Sequence, residues 1–268
     1  MALLQLLIGA SVAASPLSAP APAPVAQHPA LWVVNDNDTI IYLFGTFHAL
    51  DGKSNWFEQA VKTAFSASDQ LMLETLVPNQ LRAPVVPVVP RFSPQHNAMV
   101  KLAPSASSML ASSRTVMKAG RAEGMSTDRG ADAVLRDAAE QSGKRVTGLE
   151  SFQFQLNMFS TLQDSPKMAA PDAQAMRQLS VVLGKLQAAW NRGDIDSFAP
   201  LLKQVQAQSP KTYQTMFVER NARWAHWIAD RLKTPGTVFV AVGAGHLSGP
   251  DSVQAQLGAM GVKSARVN

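Results

Sequence analysis

The chain has 268 residues, 46% of them hydrophobic and 16% charged, which is enough apolar material for one large domain or two small ones. Its formal charge of +5 is carried by scattered lysines and arginines with no run of five, a distribution that argues against a nucleic-acid partner, which calls for a concentrated basic stripe interleaved with aromatics. The absence of cysteine excludes disulfides, thiolate metal sites and a cysteine nucleophile at once.

Residues 1–10 form a short apolar run, followed by the small residues Ser11 to Ser15. The run is shorter than the ~20 residues needed to span a bilayer, and it fits the core and cleavage site of a secretory signal, although no lysine or arginine precedes it. A frayed apolar terminus is the alternative. Alternating Ala and Pro from Ser15 to Pro24 read as an extended tether. The expectation is an exported protein, periplasmic or secreted, with residues 1–28 as signal and tether, residues 29–268 as a single domain, and no later membrane span.

The domain opens with two β-type runs, Leu31 to Val34 and Thr39 to Phe44, around the turn formers Asn35 to Asp38. The second run enters Gly45-Thr46-Phe47-His48. A helix is expected from Asn55 to Ser66, with Phe57, Val61 and Phe65 on one face. Gln70 to Glu74 reads as a buried strand ending in an acid. Pro84 to Pro90 is extended, a lid or a surface loop. Helical patterning resumes near Ser105, and a new helix starts around Gly130-Ala131-Asp132 with Val134, Leu135 and Ala138 on one face. It leads to a strand, Arg145 to Leu149, followed by Glu150. From Phe152 to Lys233 nearly everything reads helical, and the methionines there (Met158, Met168, Met176, Met216) fit either core filler or an adaptable groove. A strand, Thr237 to Val242, then enters Gly243-Ala244-Gly245-His246. A last helix near Pro250, stopped by Gly261, precedes a final strand within Val262 to Val267. Strands alternating with helices give an α/β fold: a mostly parallel mixed sheet covered by helices on both faces, with a large helical segment before the last long strand.

Ligands of open parallel sheets bind at the carboxyl ends of the strands. Four strands end there in His48, Glu74, Glu150 and His246. Each histidine stands three residues after a glycine, Gly45 or Gly243, and glycine permits a sharp turn that lets the imidazole project from the rim. Two imidazoles and a carboxylate on one rim suit zinc, manganese or cobalt with positions left open for water. The alternatives are hydrogen-bonded structural histidines, and glutamates acting as helix caps or ion-pair partners.

Leu31-Trp32 and Tyr42 to Leu50 resemble the opening of the TraB/PrgY/GumN family, which is related to the Tiki proteases. Val242 to Asp251 resembles that family's second Gly-x-x-His motif, with an extra glycine at Gly245. Between them, Ser68 to Glu74 is similar to the acidic strand and Gly130-Ala131-Asp132 with Gly148-Leu149-Glu150 to the central signature. Trp190 to Asp194 and Glu219-Arg220-Asn221 are similar to the later helical signatures. The resemblance covers residues 29–268. It implies a two-histidine metal site with His48 and His246 as ligands and Glu74 as an acidic site residue, and, for the Tiki branch, metal-dependent peptide cleavage. Arg220, beside Asn221, could clamp a carboxylate, steady an oxyanion or form an ordinary ion pair.

The resulting expectation is a metal-dependent, peptidase-like hydrolase acting on a peptide or small polar substrate. A divalent ion (Mn, Co or Zn) is held by His48, His246 and Glu74, Glu150 takes the proton from bound water, and Arg220 steadies the developing charge. The alternative is an exported binding protein that sequesters a peptide, metal or haem through the same rim without turnover.

Overall fold

The computed structural model describes residues 28–77, 114–162 and 171–268. The expected signal run, nearly all of the tether, the proline-rich segment Pro84 to Pro90 and Met168 lie outside these residues. Six strands form one sheet: β1 (Leu31–Asn35), β2 (Thr39–Thr46), β3 (Gln70–Thr75), β4 (Arg145–Glu150), β5 (Gly236–Gly243) and β6 (Ala265–Arg266). The helices are α1 (Gln59–Ala67), α2 (Ala131–Gln141), α3 (Phe152–Thr161), α4 (Ala173–Asn191), α5 (Ala199–Gln208), α6 (Pro210–Tyr213), α7 (Glu219–Arg231) and α8 (Val253–Ala259), with residues 114–122 also helical. A π-helical turn, Gln214–Val218, joins α6 to α7. Among the described residues, no helix is long and apolar enough to cross a membrane.

The strands lie in the order β4-β3-β5-β2-β1-β6. The first four are mutually parallel, and β1 runs antiparallel to both β2 and β6. This is the expected mostly parallel, mixed sheet. The β1–β2 hairpin is closed by Asp36, whose Oδ1 accepts from the backbone N–H of Thr39 at 2.9 Å and of Asp38 at 3.2 Å.

Both faces of the sheet are covered, and the two-residue period of the strands divides them. Along β5, Phe239 and Ala241 enter one apolar core with Phe44, Trp56, Phe65 and Trp190. Val238, Val240 and Val242 enter the other, against Trp224, Ala225 and Ile228 of α7 and Val253 and Leu257 of α8. This is why β5 reads as an unbroken apolar run. Met158 and Met216 are buried in the first core, which fits the filler reading.

Three boundaries differ from the sequence expectation by three residues or more, one of them the start of α8, at Val253 rather than near Pro250. Helix α1 begins at Gln59 rather than Asn55, because Glu58 is extended and Gln59 takes a positive φ of 46°. The last strand is reduced to Ala265–Arg266, held to β1 by the pairs Trp32↔Arg266 and Val33↔Ala265.

One close approach fixes the geometry of the sheet's upper rim. The loop after β2 packs directly on the start of α2, where Ala131 N–H donates to Phe47 O at 2.9 Å. A Cβ on Gly130 would stand 2.2 Å from the His48 carbonyl oxygen and 2.6 Å from its carbon. Gly130 is therefore required by backbone contact and not by its φ of −58°. Gly130→Ala should cost about 1–3 kcal/mol or more by overpacking, a fall of about 3–10 °C in thermal midpoint. Gly258→Ala, in a helix and with nothing within 4 Å of the added carbon, should raise stability by up to about 1 kcal/mol. Thermal unfolding of both variants checks the pair, and equal effects would contradict the reading.

Candidate functional site

The parallel register of β2 and β5 pairs Gly45 with Val242 and Thr46 with Gly243. The two Gly-x-x-His segments thus leave the sheet side by side. The sequence suggested that glycine serves here to turn the chain, but neither Gly45 nor Gly243 has a positive φ. Space is the reason instead. A Cβ on Gly45 would press to 3.2 Å of the Ala244 Cα. A Cβ on Gly243 would lie 3.4 Å from Glu74 Oε2, 3.5 Å from His48 Nε2 and 3.6 Å from His246 Cδ2. The three groups that the sequence singled out converge on Gly243, at the end of β5, where the strand carries no side chain.

His48 is held by a residue that the sequence reading assigned no role. Its Nδ1 lies 2.8 Å from Asp132 Oδ1, in the first turn of α2. With Nδ1–H donating to the carboxylate, Nε2 keeps its lone pair and faces the shared point. Burial pushes the Asp132 carboxyl up, but its electrostatic attraction to the His48 ring and the hydrogen bond from it outweigh burial and hold Asp132 below its ordinary value. The signal available in the sequence was the Gly-Ala-Asp start of α2, which places an acid one turn into a helix at the rim.

His246 is buried, 3% exposed, with Phe217 and Trp224 ring centroids at 5.0 and 4.5 Å. Its Nδ1–H donates to Asn221 Oδ1 at 2.6 Å. The Asn221 amide is oriented in turn by donating to Asp251 O at 2.7 Å, and the Asp251 carboxylate accepts from the Tyr213 hydroxyl at 2.8 Å. Nε2 then accepts from Arg220 Nη1 at 3.3 Å. Burial, followed by the charge of Arg220, pushes this imidazole well below its ordinary value, so the ring is neutral.

Behind this rim lies a buried ion cluster. Arg220, 0% exposed, donates through Nε and Nη2 to Glu150 at 2.7–3.0 Å, through Nη2 to Glu74 Oε1 at 2.6 Å, and through Nη1 to Met216 O at 3.4 Å and to His246. Its plane also stacks on Trp224 at 4.7 Å. Burial would push the Glu74 carboxyl up, but the guanidinium outweighs it and holds the group well below the usual carboxylate range. Gln155, at the start of α3, donates to Glu74 Oε1 at 3.2 Å, and Gly243 N–H donates to Glu74 Oε2 at 3.2 Å. The sequence gave no signal for Gln155, whose role depends on where α3 lies.

The rim opens on a cleft of about 380 Å³ lined by His48, Glu74, Asp132 and Gln155 on its polar side and Leu73, Val77 and Phe159 on its apolar side. Glu150 and Arg220 do not line it. Glu150, expected to take a proton from water, is committed to Arg220 and, at 3.3 Å, to Arg223. Arg220, expected to face developing charge, is sealed beneath Glu74.

The donor types present suit a transition metal: two imidazoles with anchored Nδ1 atoms, and a carboxylate. The arrangement does not fit one. Among the described residues, no group of three or more His, Cys, Asp or Glu side chains is disposed to hold an ion. The single lone pair of His246 Nε2 is already directed at Arg220.

Two consequences for stability can be measured. Arg220→Met leaves two glutamates without their buried partner and should cost about 3–5 kcal/mol, and adding Glu74→Gln and Glu150→Gln should recover part of it in urea unfolding. Arg220→Lys should recover little, since an ammonium lacks the fork that serves both carboxylates. The second consequence concerns pH. His246 and Glu74 both have folded values below their unfolded ones, so the unfolded chain binds more protons and stability rises with pH. Stability should be full above pH ~6.5, fall with acidification as unfolded His246 gains a proton, and fall further below pH ~4.3 as Glu74 does. His246→Asn should flatten the part between pH 7 and 5, and an unchanged thermal-midpoint profile would refute the assignment.

A sequence profile of the TraB/PrgY/gumN family matches residues 30–86 and 89–266. No curated protein and no solved structure matches the chain. Because the profile match runs over nearly the whole chain, from the first strand to the last, the protein belongs to the TraB/PrgY/gumN family.

Proposed function

We propose that the cleft is the catalytic centre of a hydrolase acting on peptide-like or other small polar substrates. The observation that carries this reading is the convergence of His48 Nε2, Glu74 Oε2 and His246 on the point left open by Gly243. At a position whose backbone any residue could adopt, glycine keeps free a volume of one small group between a base, a carboxylate and a neutral ring.

A water at that point would meet the unprotonated Nε2 of His48 as general base. Asp132 fixes the tautomer that leaves Nε2 free and stabilises the imidazolium formed when the proton arrives, the logic by which an acid supports a catalytic histidine elsewhere. Glu74 Oε2 accepts the second hydrogen of the water and so orients a lone pair of its oxygen toward the scissile carbonyl. That oxygen bonds to the carbonyl carbon, the bond to the leaving group breaks, and the His48 imidazolium returns its proton to the leaving group. Arg220, Gln155 and Gly243 N–H hold Glu74 in place and keep it ionised, so they are positioning groups. The apolar wall of Leu73, Val77 and Phe159 supplies binding surface for a short side chain beside the scissile carbonyl. No step of this scheme runs through a metal ion.

Turnover of a fluorogenic peptide library by the full chain tests the reading. His48→Ala should cost about 10²- to 10⁴-fold in kcat/KM, the range for loss of a positioned base. Gly243→Ala should abolish turnover while leaving the thermal midpoint almost unmoved, because its new contacts of 3.4–3.6 Å are ordinary ones. Full activity in Gly243→Ala would show that the shared point is not used. A wild type that binds library peptides at the cleft but cleaves none would instead make this a binding protein.

A further inference from the structure

We propose that Arg220 is the resident cation of this centre and holds the place that the family resemblance would give to a divalent metal ion. The first support is occupancy. A neutral imidazole has one lone pair, and that of His246 Nε2 receives the Arg220 Nη1 hydrogen. A zinc ion at its usual ~2.0–2.1 Å from that nitrogen would have to lie along the same direction, where the guanidinium already stands 3.3 Å away. The opposite ring nitrogen is spent on Asn221. That leaves His48 Nε2 and Glu74 Oε2, one nitrogen and one oxygen, fewer than the three protein ligands of a catalytic zinc site.

The second support is charge. Two carboxylates, Glu74 and Glu150, face two guanidiniums, Arg220 and Arg223. Arg220 already serves both buried carboxylates, while Arg223, 45% exposed, meets Glu150 from the solvent side, and a divalent ion would add two positive charges against Arg220 in an environment of low dielectric. The third support is the cost of moving Arg220 aside. Its side chain is fully buried, its N–H groups find acceptors in Glu74, Glu150, His246 and Met216, and its plane rests on Trp224. Met216, within the π-helical turn Gln214–Val218, stands four residues before Arg220, and its carbonyl accepts from Arg220 Nη1, which ties the arginine to the backbone of the site.

Metal binding decides the matter whether or not the cleft turns over a substrate. The full chain is exposed to Zn²⁺, Mn²⁺ or Co²⁺ singly, passed through a desalting column, and measured for ions per chain and for thermal midpoint with and without EDTA. Wild type should retain no stoichiometric ion, and neither metal nor EDTA should move its midpoint. The double variant Arg220→Gln with Glu150→Gln vacates the cation position without stranding the second glutamate. It should gain one ion per chain and, at about a hundredfold excess of metal over Kd, a rise of about 5–10 °C in midpoint that EDTA reverses. His48→Ala on that background should remove the gain. Wild type carrying one ion per chain that His48→Ala or His246→Ala strips would overturn the proposal, and so would a folded double variant that gains no ion. Should the double variant not fold, the wild-type stoichiometry decides alone.

Discussion

A guanidinium with no exposure to water must find an acceptor for each of its N–H groups, and in this protein that demand is met by four separate parts of the chain. Arg220 draws together Glu74 at the end of β3, Glu150 at the end of β4, the carbonyl of Met216 in the π-helical turn, and His246 beyond β5. Burying an ion in this way contributes little net stability by itself, since desolvation offsets most of the attraction. Its effect is on geometry: the ends of β3, β4 and β5 and the start of α7 can meet in one arrangement that leaves no charge unpaired. The state of the rim follows from it, because the same guanidinium keeps Glu74 ionised and, together with the larger effect of burial, keeps His246 neutral.

Around this anchor the two histidines have different roles. His246 is enclosed by Phe217 and Trp224 and has both nitrogens engaged, so it shapes the wall of the shared point without a free atom to offer. His48, with 20% of its side chain exposed, is fixed at Nδ1 by Asp132 and open at Nε2. The asymmetry comes from the neighbouring helices. His48 meets the first turn of α2 through Asp132, whereas His246 meets α7 through Arg220, Asn221 and Trp224, so a matched pair of Gly-x-x-His segments yields one buried and one accessible imidazole. The glycines serve this packing by their missing side chains, Gly45 admitting the backbone of Ala244 and Gly243 leaving room between Glu74 and the two rings.

Much of the fold was legible from the residues. The hairpin around Asn35 to Asp38, the buried strands ending at Glu74 and Glu150, the start of α2 at Gly130 and the apolar run of β5 all follow from local turn chemistry and from apolar patterning at period 2 or 3.6. Local patterning failed at the start of α1, where a single positive φ at Gln59 delays the helix although the apolar spacing continues through Phe57. It was also silent on the π-helical turn, since one inserted residue leaves no periodic trace over five residues.

The sequence by itself placed His48, Glu74, Glu150 and His246 at the carboxyl ends of strands, where side chains leave the sheet. Only the tertiary structure decided what each of them does. Asp132 reaches His48 from 84 residues away, and Arg220 reaches Glu150 across 70 residues and Glu74 across 146. Which carboxylate lies open to a cleft and which is consumed by a buried arginine depends on strand order, β4-β3-β5-β2, and on the turn that rolls Arg220 inward. Hydrogen-bond partners at such separations are set by packing, and packing leaves no mark in the local pattern of any one segment.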